Sequence, residues 1–226
     1  MSTKRYVYKE EPYSSHSLII NWLVKQPADT RVLDVGSATG MLGNSCAGKG
    51  LVFHGIEPQT EWAVEASPFY EKILTAKIEE IPDKELAGYS VVVLADVLEH
   101  MEDPQSILER LVRLQPETCI FVVSVPNIAN IWVRLNLLFG RFEYQERGIL
   151  DRTHLRFFTW HSFQSFLKSS GLEIQESQAT PIPLSLVNPF FNKTRPGKII
   201  SQGLYLITRL FPTLLGYQFV VKASAR

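Results

Sequence analysis

Short apolar runs alternate with helical patterns over the first 125 residues of the chain. The runs are TRVLDV (30–35), LVFHGIE (51–57), SVVVLAD (90–96) and CIFVVSV (119–125). Their content of Val, Ile and Phe is typical of parallel strands buried on both faces. Between them, apolar residues recur at helical spacing in HSLIINWLVKQ (16–26), EWAVEASPFYEKI (61–73) and DPQSILERLVRL (103–114). In the last segment Asp103 can cap a helix that has Pro104 at its first position. This alternation predicts an α/β protein with a doubly wound sheet.

The second half of the chain has a different pattern. PNIANIWVRLNLLFG predicts a helix that stops at Gly140, and its apolar stripe comprises Ile128, Ile131, Trp132, Leu135, Leu138 and Phe139. Further helices are predicted at WHSFQSFLKSS (160–170), which Thr159 could cap, and at KIISQGLYLITRL (198–210). Strands are predicted near GLEIQESQA (171–179) and at YQFVVKA (217–223).

The segment GILDRTHLRFFTW (148–160) places charged residues among apolar ones. As a strand it would put Arg152, His154 and Arg156 on one face, since side chains alternate with a period of two. Phe157 and Phe158 would help to anchor it. The sequence predicts either an edge strand with a solvated cationic face or a set of groups that face a substrate.

Composition excludes several classes of protein. The chain has 226 residues, of which 45% are hydrophobic, and this favours one domain with a continuous core. Basic and acidic residues balance at 23 each, so no nucleic-acid partner is expected. Cys46 and Cys119 lack a CxxC pattern, which argues against a disulfide framework or a zinc site, and no metal is predicted. The N-terminus has no apolar stretch of signal-peptide length, so a cytoplasmic location is expected.

The turn after the first predicted strand could bind a nucleotide-like ligand. In VLDVGSATG (32–40) the glycines would let the backbone approach a ligand closely at the strand's carboxyl end. The dinucleotide pattern GxGxxG is absent, because Ala38 and Met41 occupy positions that it would need. Glu57 ends the second strand, where an acidic residue can accept hydrogen bonds from both hydroxyls of a ribose.

With ADVLEHMEDP (95–104) after the next strand, three motifs resemble those of the class I S-adenosylmethionine-dependent methyltransferases. The DVLEH stretch is similar to the branch that includes ubiquinone-type O-methyltransferases. The resemblance implies a Rossmann-like, mostly parallel seven-stranded sheet with an antiparallel C-terminal edge and a helical insertion after the fifth strand. We expect an N-terminal helical cap (1–29), a cofactor-binding core (30–126), a substrate-binding insertion (127–160) and a C-terminal sheet edge with a helix (161–226).

The resemblance also implies which residues bind S-adenosylmethionine and its product S-adenosylhomocysteine. Glu57 would bind the ribose, and Asp96 would lie near the methionine end. The chain has Ala38 in place of the usual middle glycine, and Ala76-Lys77-Ile78 in place of an acidic residue near the adenine. The backbone at Lys77 and Ile78 is therefore the expected adenine contact. The full expected set is Asp34, Gly36, Ser37, Ala38, Gly40, Glu57, Pro58, Lys77, Ile78, Asp96 and Val97.

A hydroxyl acceptor would benefit from a general base, whereas the sulfonium methyl donor needs mainly to be aligned with its nucleophile. Histidine suits the role of base near neutral pH. His154 and His100 are the candidates, with Asp151 as an orienting partner. His16, His54 and His161 fall in strand or helix patterns and are interpreted as structural.

The insertion resembles that of small methyltransferases associated with bacterial cell-surface polysaccharide assembly, in which a GILDRTHLRFFT-like segment recurs. This implies a glycan, a nucleotide sugar or another hydroxylated small molecule as acceptor. Guanidinium groups suit phosphate or carboxylate. The candidate acceptor-binding residues are Arg152, Arg156, Tyr144 and Asn127, and the arginines could also pair with nearby acidic residues.

The C-terminal region contains no acidic residue from Ser177 to Arg226 but six basic ones. Ile200, Leu204, Ile207, Phe211 and Leu214 align on one helical face. Such a face can cover the sheet, which we favour, or it can lie on an anionic membrane as a peripheral contact at the inner face. The sequence leaves a monomer and a homodimer equally open.

Three functions follow from these patterns. The first is methyl transfer to a hydroxyl of a sugar-containing or other small hydroxylated acceptor. The second moves the acceptor to nitrogen or carbon. The third is a non-catalytic, cofactor-binding partner subunit, which the departures at Ala38 and Lys77 would permit. A dehydrogenase ranks last because the dinucleotide pattern is missing.

Overall fold

The computed structural model describes residues 12–186 and 188–226. Residues 1–11 and Val187 lie outside the described residues. Residues 1–11 include the start of the predicted N-terminal cap and most of the stretch in which no signal peptide is predicted. Within the described residues, seven strands form one sheet in the order β3-β2-β1-β4-β5-β7-β6. They are β1 (Arg31–Val35), β2 (Val52–Ile56), β3 (Lys72–Leu74), β4 (Val91–Ala95), β5 (Ile120–Pro126), β6 (Leu172–Thr180) and β7 (Gln218–Ala225).

The first five strands are parallel, and β7 runs antiparallel between β5 and the edge strand β6. The α-helices are α1 (Ser15–Leu23), α2 (Met41–Ser45), α3 (Thr60–Ala66), α4 (Asp83–Leu86), α5 (Pro104–Leu114), α6 (Ile131–Leu138), α7 (Trp160–Ser169), α8 (Phe190–Lys193), α9 (Arg195–Leu210) and α10 (Pro212–Leu215). The predicted α/β fold, with its mostly parallel seven-stranded sheet and antiparallel C-terminal edge, is confirmed.

The core lies on both faces of the sheet because alternate strand residues point to opposite sides. Val92 belongs to the cluster that α5 and α7 cover, through Leu108 and Phe163. Its neighbour Val93 belongs to the cluster on the other face, where Ile19 of α1 packs. All five of these side chains are buried. The central strands are therefore covered on both faces, as their continuous apolar runs predicted.

Helix caps set several boundaries. Asp103 accepts a hydrogen bond from the Ser106 N–H at 3.2 Å, with Pro104 at the first position of α5, as predicted. Thr159 accepts one from the Ser162 N–H at 3.2 Å and forms a reciprocal capping box at the start of α7. Both caps are confirmed, and the second fixes where the insertion ends.

The helix predicted over 61–73 is wrong in its second half. α3 ends at Ala66, a single 3₁₀ turn follows at Ser67–Phe69, and β3 begins at Lys72. Pro68 lies in that turn and lacks the N–H that a continuing helix would need. The apolar spacing had hidden a short strand that pairs with β2 at the edge of the sheet.

The segment 148–160 is a loop and not a strand. Asp151 Oδ1 accepts hydrogen bonds from the Thr153 N–H at 2.8 Å and from its hydroxyl at 2.7 Å, which stabilises a turn. The turn breaks the period of two, so Arg152 and Arg156 are exposed while His154 is buried. Phe158 anchors the end of the loop as predicted, since it packs against Phe163 and Phe166 of α7.

The apolar stripes of α6 and α9 face outward. Trp132 and Leu138 in α6, and Ile200 and Ile207 in α9, are all exposed. The expectation that the C-terminal stripe covers the sheet is therefore wrong for most of its members, because α5 and α7 already cover one face and α1 and α2 cover the other. No helix in the described part of the chain combines the length and the apolar character needed to cross a membrane.

Candidate active site

The predicted functional residues meet along the carboxyl ends of the parallel strands. β1 and β4 are neighbours, and from this pair the chain builds outward through β2 and β3 on one side and β5 on the other. Such a reversal of strand order leaves a crevice in which ligands of open α/β sheets bind. The loops that begin at Gly36, Glu57 and Asp96 follow β1, β2 and β4 and converge there.

The glycine-containing turn has three residues with left-handed backbone: Gly36 (φ 76°), Ala38 (φ 46°) and Gly40 (φ 82°). At Gly40 a Cβ atom would lie 2.7 Å from Cα of Ala66, so this glycine also permits close packing against α3. Ala38 adopts the left-handed conformation despite its Cβ, at a typical cost of roughly 1–2 kcal/mol. The alanine that departs from the usual glycine is thus accommodated without a change in the turn.

Glu57 is held rigidly at the end of β2. Its side chain is buried, and its two oxygens accept hydrogen bonds from the N–H groups of Ala38 and Gln59, both at 2.9 Å. Burial raises the pKa of Glu57, and these two hydrogen bonds oppose the rise. A carboxylate oxygen can accept two hydrogen bonds, so each oxygen keeps an acceptor position for a ligand hydroxyl.

The turn also contains a buried polar atom without a partner. The Ser37 hydroxyl has no hydrogen bond to any residue that the structure describes, although its side chain is almost fully buried. Buried hydroxyls are normally paired, so a partner from a ligand is expected. An unpaired hydroxyl beside an oriented carboxylate fits a ligand rich in hydroxyl groups, such as a nucleoside, and the predicted cofactor meets that requirement.

The other predicted cofactor residues occupy different levels of the crevice. Asp34 lies beneath the turn, where it accepts a hydrogen bond of 2.5 Å from the Tyr70 hydroxyl, and burial raises its pKa to about 7. Pro58 and Lys77 are exposed, whereas the Ile78 side chain is part of the core. Val97 lies under the turn, since a Cβ on Gly36 would come within 2.3 Å of its Cγ2.

Asp96 connects three elements around the crevice. Its backbone is left-handed (φ 55°), and its carboxylate accepts hydrogen bonds from the hydroxyls of Ser124 at 2.7 Å and Ser15 at 3.2 Å and from the Gln218 amide at 2.5 Å. α1, β5 and β7 supply these donors. Whatever it contacts in a ligand, Asp96 also holds the N-terminal helix and the C-terminal strand to the rim.

Both candidate histidines lie in a cluster near Asp96, which also contains Glu99. Glu99, His100 and His154 offer ligand atoms that all lie within 4.8 Å of one another, and the two imidazole rings meet edge to face with centroids 4.8 Å apart. Glu99 is 1% exposed, and neither carboxylate oxygen has a hydrogen bond to a described residue. Burial and the charges of Asp96 and Asp151 raise the pKa of Glu99 well above its usual value. The three groups could also hold a divalent cation.

The hydrogen-bond partners indicate where each imidazole carries its proton. His154 Nδ1 lies 3.1 Å from the Ile149 carbonyl, and His100 Nδ1 lies 3.2 Å from the Thr153 carbonyl. A carbonyl only accepts, so both Nδ1 atoms are assigned as donors, and Nε2 carries the lone pair in the neutral rings. Burial, followed by the charge of His100, lowers the pKa of His154, which favours this neutral form.

Asp151 orients His100 and not His154. Its carboxylate accepts a hydrogen bond from the Thr153 hydroxyl, which lies 3.1 Å from His100 Nδ1. The chain of contacts from Asp151 through Thr153 reaches one imidazole of the pair, and the backbone of Ile149 orients the other. The three candidate catalytic residues are therefore brought together, with Thr153 as a member that residue type alone did not reveal.

The insertion is attached to this cluster through backbone bonds. The Glu99 carbonyl accepts hydrogen bonds from the N–H groups of Leu155 and Arg156, at 2.8 and 3.1 Å. The backbone around Asn127 likewise pairs with Phe158. These bonds place the loop 148–158 across the rim.

The structure disperses the four candidate acceptor-binding side chains. Arg152 pairs with Glu146 at 2.8 Å on the surface, and the Arg156 guanidinium donates to the Glu102 carbonyl. Tyr144 is exposed and its ring lies near that of Phe157. Asn127 is fully buried, and its amide donates to the carbonyls of Thr213 and Gly216, at 3.1 and 2.8 Å. Its side chain thus has no surface open to an acceptor.

Comparison with known proteins places the chain among methyltransferases. A family model described as a methyltransferase domain matches residues 12–177. The mitochondrial ubiquinone biosynthesis O-methyltransferase of Bos taurus is 26% identical over 200 residues, which are 79% of this chain and 50% of that protein. The ubiquinone biosynthesis O-methyltransferase of Klebsiella pneumoniae (strain 342) is 30% identical over 189 residues, covering 77% of this chain and 74% of that protein. The chain thus spans only half the length of the bovine relative.

Among solved structures, the chain resembles magnesium protoporphyrin IX methyltransferase from Synechocystis PCC 6803 with bound SAH. The TM-score is 0.63 at 15% sequence identity, and the match covers 94% of this chain and 82% of that one. At this level of identity the likeness concerns the fold.

Proposed function

The chain belongs to the methyltransferase domain family, and from this premise we propose that it transfers a methyl group from S-adenosylmethionine to a hydroxyl oxygen. Bound S-adenosylmethionine supplies a methyl group that is already activated by its sulfonium charge. The chain's own residues then have to hold the donor, admit the acceptor and take up the acceptor's proton. The relatives named as O-methyltransferases support oxygen as the acceptor atom.

We assign cofactor binding first to Glu57 and the turn 36–40. The two free acceptor positions of the Glu57 carboxylate suit the vicinal hydroxyls of a ribose, and the unpaired Ser37 hydroxyl offers a further contact. Each charge-assisted hydrogen bond contributes on the order of 1.5–3 kcal/mol. The Lys77–Ile78 backbone lies beyond β3 on the same side and is assigned to the adenine.

The observation that carries the reaction type is the imidazole pair at the rim. In the neutral form of His154 the proton on Nδ1 is held by the Ile149 carbonyl, so the lone pair on Nε2 is the one available to remove a hydroxyl proton. His100 packs against it and is oriented through Thr153 and Asp151. A nitrogen acceptor would have less need of such a base, which is why we favour oxygen.

We propose that the acceptor is a sugar-containing or other small hydroxylated molecule. We also propose that the enzyme acts in bacterial cell-surface polysaccharide synthesis, on the cytoplasmic side. The resemblance of the segment 148–160 to that branch supports this class. Arg152 and Arg156 flank His154 in the sequence and are exposed, and guanidinium groups suit a phosphate such as that of a nucleotide sugar.

Substitution of His154 tests the proposal. We expect His154→Ala to lower kcat by about 10²–10⁴-fold with little change in the affinity for S-adenosylhomocysteine, because a general base typically contributes that much. His161→Ala is the matched control, since His161 is exposed on α7 and is not a member of the cluster of Glu99, His100 and His154. Turnover is measured by mass spectrometry of candidate sugar acceptors, and affinity is measured by calorimetry.

The same experiment separates the alternatives. Turnover that survives in His154→Ala would assign the histidine pair to scaffold and point to nitrogen or carbon as the acceptor atom. Activity that is lost on chelation and restored by a divalent cation would make Glu99, His100 and His154 metal ligands instead of proton acceptors. Failure of the wild-type chain to bind S-adenosylhomocysteine would overturn the enzyme assignment itself.

A further inference from the structure

The helix of the insertion exposes its apolar side. In α6 the one fully buried side chain is Val133, and Trp132, Leu138 and Phe139 are exposed by 62%, 77% and 73%. With a period of 3.6 residues, Leu138 and Phe139, which follows the helix directly, lie on the side opposite Val133, and Trp132 lies at the edge of that side. Large aromatic and aliphatic side chains that are exposed together on one helix face indicate an interaction surface.

The long C-terminal helix does the same. The buried residues of α9 are Gly197 and Thr208. With a period of 3.6 residues, Ile199, Leu206 and Leu210 lie on the opposite side of the helix, and Ile200 and Ile207 lie on its flank. Leu210 and Ile199 are exposed by 74% and 69%, and Phe211 follows directly after the helix. The exposed set is Ile199, Ile200, Leu206, Ile207, Leu210 and Phe211.

The start of α6 and the end of the C-terminal helical region are joined at the rim of the active site. The amide of Asn130, which caps α6, donates to the carbonyls of Leu215 and Gly216 at 3.2 and 2.9 Å. Those carbonyls lie at the C-terminal end of α10, and a single residue, Phe211, separates α10 from α9. The backbone at Ile128 is in turn bonded to Phe158, at the end of the loop that contains His154. One hydrogen-bonded junction therefore joins both helices to the loop.

The charged residues within the two segments that contain these faces have a single sign. Residues 128–142 contain Arg134 and Arg141 and no acidic residue, and residues 177–226 contain six basic residues and no acidic one. Two copies of such a surface would bring like charges together, whereas an anionic surface complements it. Aromatic and aliphatic side chains combined with Arg and Lys are typical of helices that lie in the membrane interface.

We propose that the exposed faces of α6 and α9 form one docking surface for an anionic phospholipid membrane. Docking would turn the loop 148–158 and the carboxyl ends of the strands toward the lipid headgroups. The proposal does not depend on methyl transfer, since it rests on exposure, charge and the junction at Asn127–Asn130. Docking of this kind makes the chain a peripheral membrane protein.

Vesicle flotation of the full chain tests the proposal. We expect binding to phosphatidylcholine vesicles that contain phosphatidylglycerol, and weaker binding both to phosphatidylcholine alone and at high salt. The double variants Leu138→Ser/Phe139→Ser and Leu210→Ser/Phe211→Ser should each lower the partition coefficient by about tenfold or more, because apolar area no longer enters the lipid. Val64→Ser is the control, since Val64 is exposed by 65% on α3, outside the surface.

A second readout locates the contact. Brominated lipids should quench the fluorescence of Trp132 in the wild-type chain, and the quenched fraction should fall in Trp132→Phe. No flotation with anionic vesicles at low salt, or equal flotation of both double variants and wild type, would overturn the proposal. A dimer that the same double variants dissociate, in a chain that ignores vesicles, would identify a second copy as the occupant and would also overturn it.

Discussion

At the scale of single residues, the rim of the site depends on side-chain amides that donate hydrogen bonds to backbone carbonyls in place of backbone N–H groups. Asn127 and Asn130 follow β5, where the chain leaves the sheet, and their amides satisfy the carbonyls that end α10. Asn127 was expected to bind the acceptor on account of its position alone. In the structure its side chain instead joins the insertion to the C-terminal region. The presence of a polar residue at the start of a loop does not reveal this role.

Substitution of Asn127 is therefore expected to destabilise the fold. Asn127→Ala would leave the carbonyls of Thr213 and Gly216 without this donor in a buried site, at a cost of about 1–3 kcal/mol in the free energy of unfolding. Asn136→Ala is the control, because its amide bonds only to the Trp132 carbonyl within α6. Urea unfolding measures both. Equal stability of the two variants would contradict the role assigned to Asn127.

Glu99 raises a related question, because its carboxyl group is buried without a hydrogen bond to any described residue. Burial and the charges of Asp96 and Asp151 raise the pKa of Glu99 well above its usual value, which favours the neutral carboxylic acid. Glu99→Gln keeps the size and the neutral charge, so we expect its melting temperature to stay close to that of the wild type. Glu99→Ala leaves a cavity beside His154 and should lower it. Thermal unfolding at neutral pH compares the two, and a Gln variant as unstable as the Ala variant would show that the group is ionised.

At the scale of elements, the sequence predicted the strands and helices whose residues face the core. β1, β2, β4 and β5 lie within one or two residues of their apolar runs, and the caps at Asp103 and Thr159 are where they were expected. The errors fall where a side chain competes with backbone periodicity. Asp151 bonds its own neighbours and turns a predicted strand into a loop, and Pro68 ends a helix early. Whether a side chain overrides the backbone pattern in this way depends on local three-dimensional geometry. The spacing of apolar residues in the sequence does not encode that geometry.

The prediction that belongs to this scale concerns the cap between the insertion and the sheet. Thr159→Ala removes the hydroxyl that accepts the Ser162 N–H, whereas the N–H of residue 159 can still donate to the Ser162 hydroxyl, and we expect the free energy of unfolding to fall by about 1 kcal/mol. Ser165→Ala, on the exposed side of α7, is the control and should change stability by much less. Denaturant unfolding measures the difference. If Ser165→Ala cost as much as Thr159→Ala, helix propensity and not the cap would explain the loss.

At the scale of the whole molecule, the sequence could predict that Glu57 and the turn 36–40 lie close together, but not how the candidate histidines meet Glu99. Glu57 and the turn 36–40 are close in sequence to strand ends, so the fold brings them together wherever the sheet forms. Glu99, His100 and His154 belong to a loop and an insertion separated by more than fifty residues of sequence. Their meeting depends on how residues 127–158 fold back, which follows from contacts such as the Asn127–Phe158 bridge.

The same buried site gives the molecule a pH-dependent stability that can be traced to Asp34. Burial raises its pKa in the folded state from 3.8 to about 7, so the folded protein retains a proton there that the unfolded chain releases. Since the folded state binds more protons between these values, stability falls as the pH rises from about 4 to about 7 and is level outside that window. The pH dependence of the wild-type stability also includes contributions from the other carboxyl groups. Comparison with a variant that changes Asp34 alone removes those contributions.

Asp34→Asn removes this titration while its amide oxygen can still accept the hydrogen bond from Tyr70. We expect the stability difference between the variant and the wild type to shift by a few kcal/mol in favour of the variant between pH 4 and pH 7, since each unit of pKa corresponds to about 1.4 kcal/mol. Urea unfolding at a series of pH values measures that difference. A stability difference that stays constant across this pH window would mean that Asp34 is ionised in the folded protein. The buried charge below the turn would then be stabilised by the hydrogen bond from Tyr70.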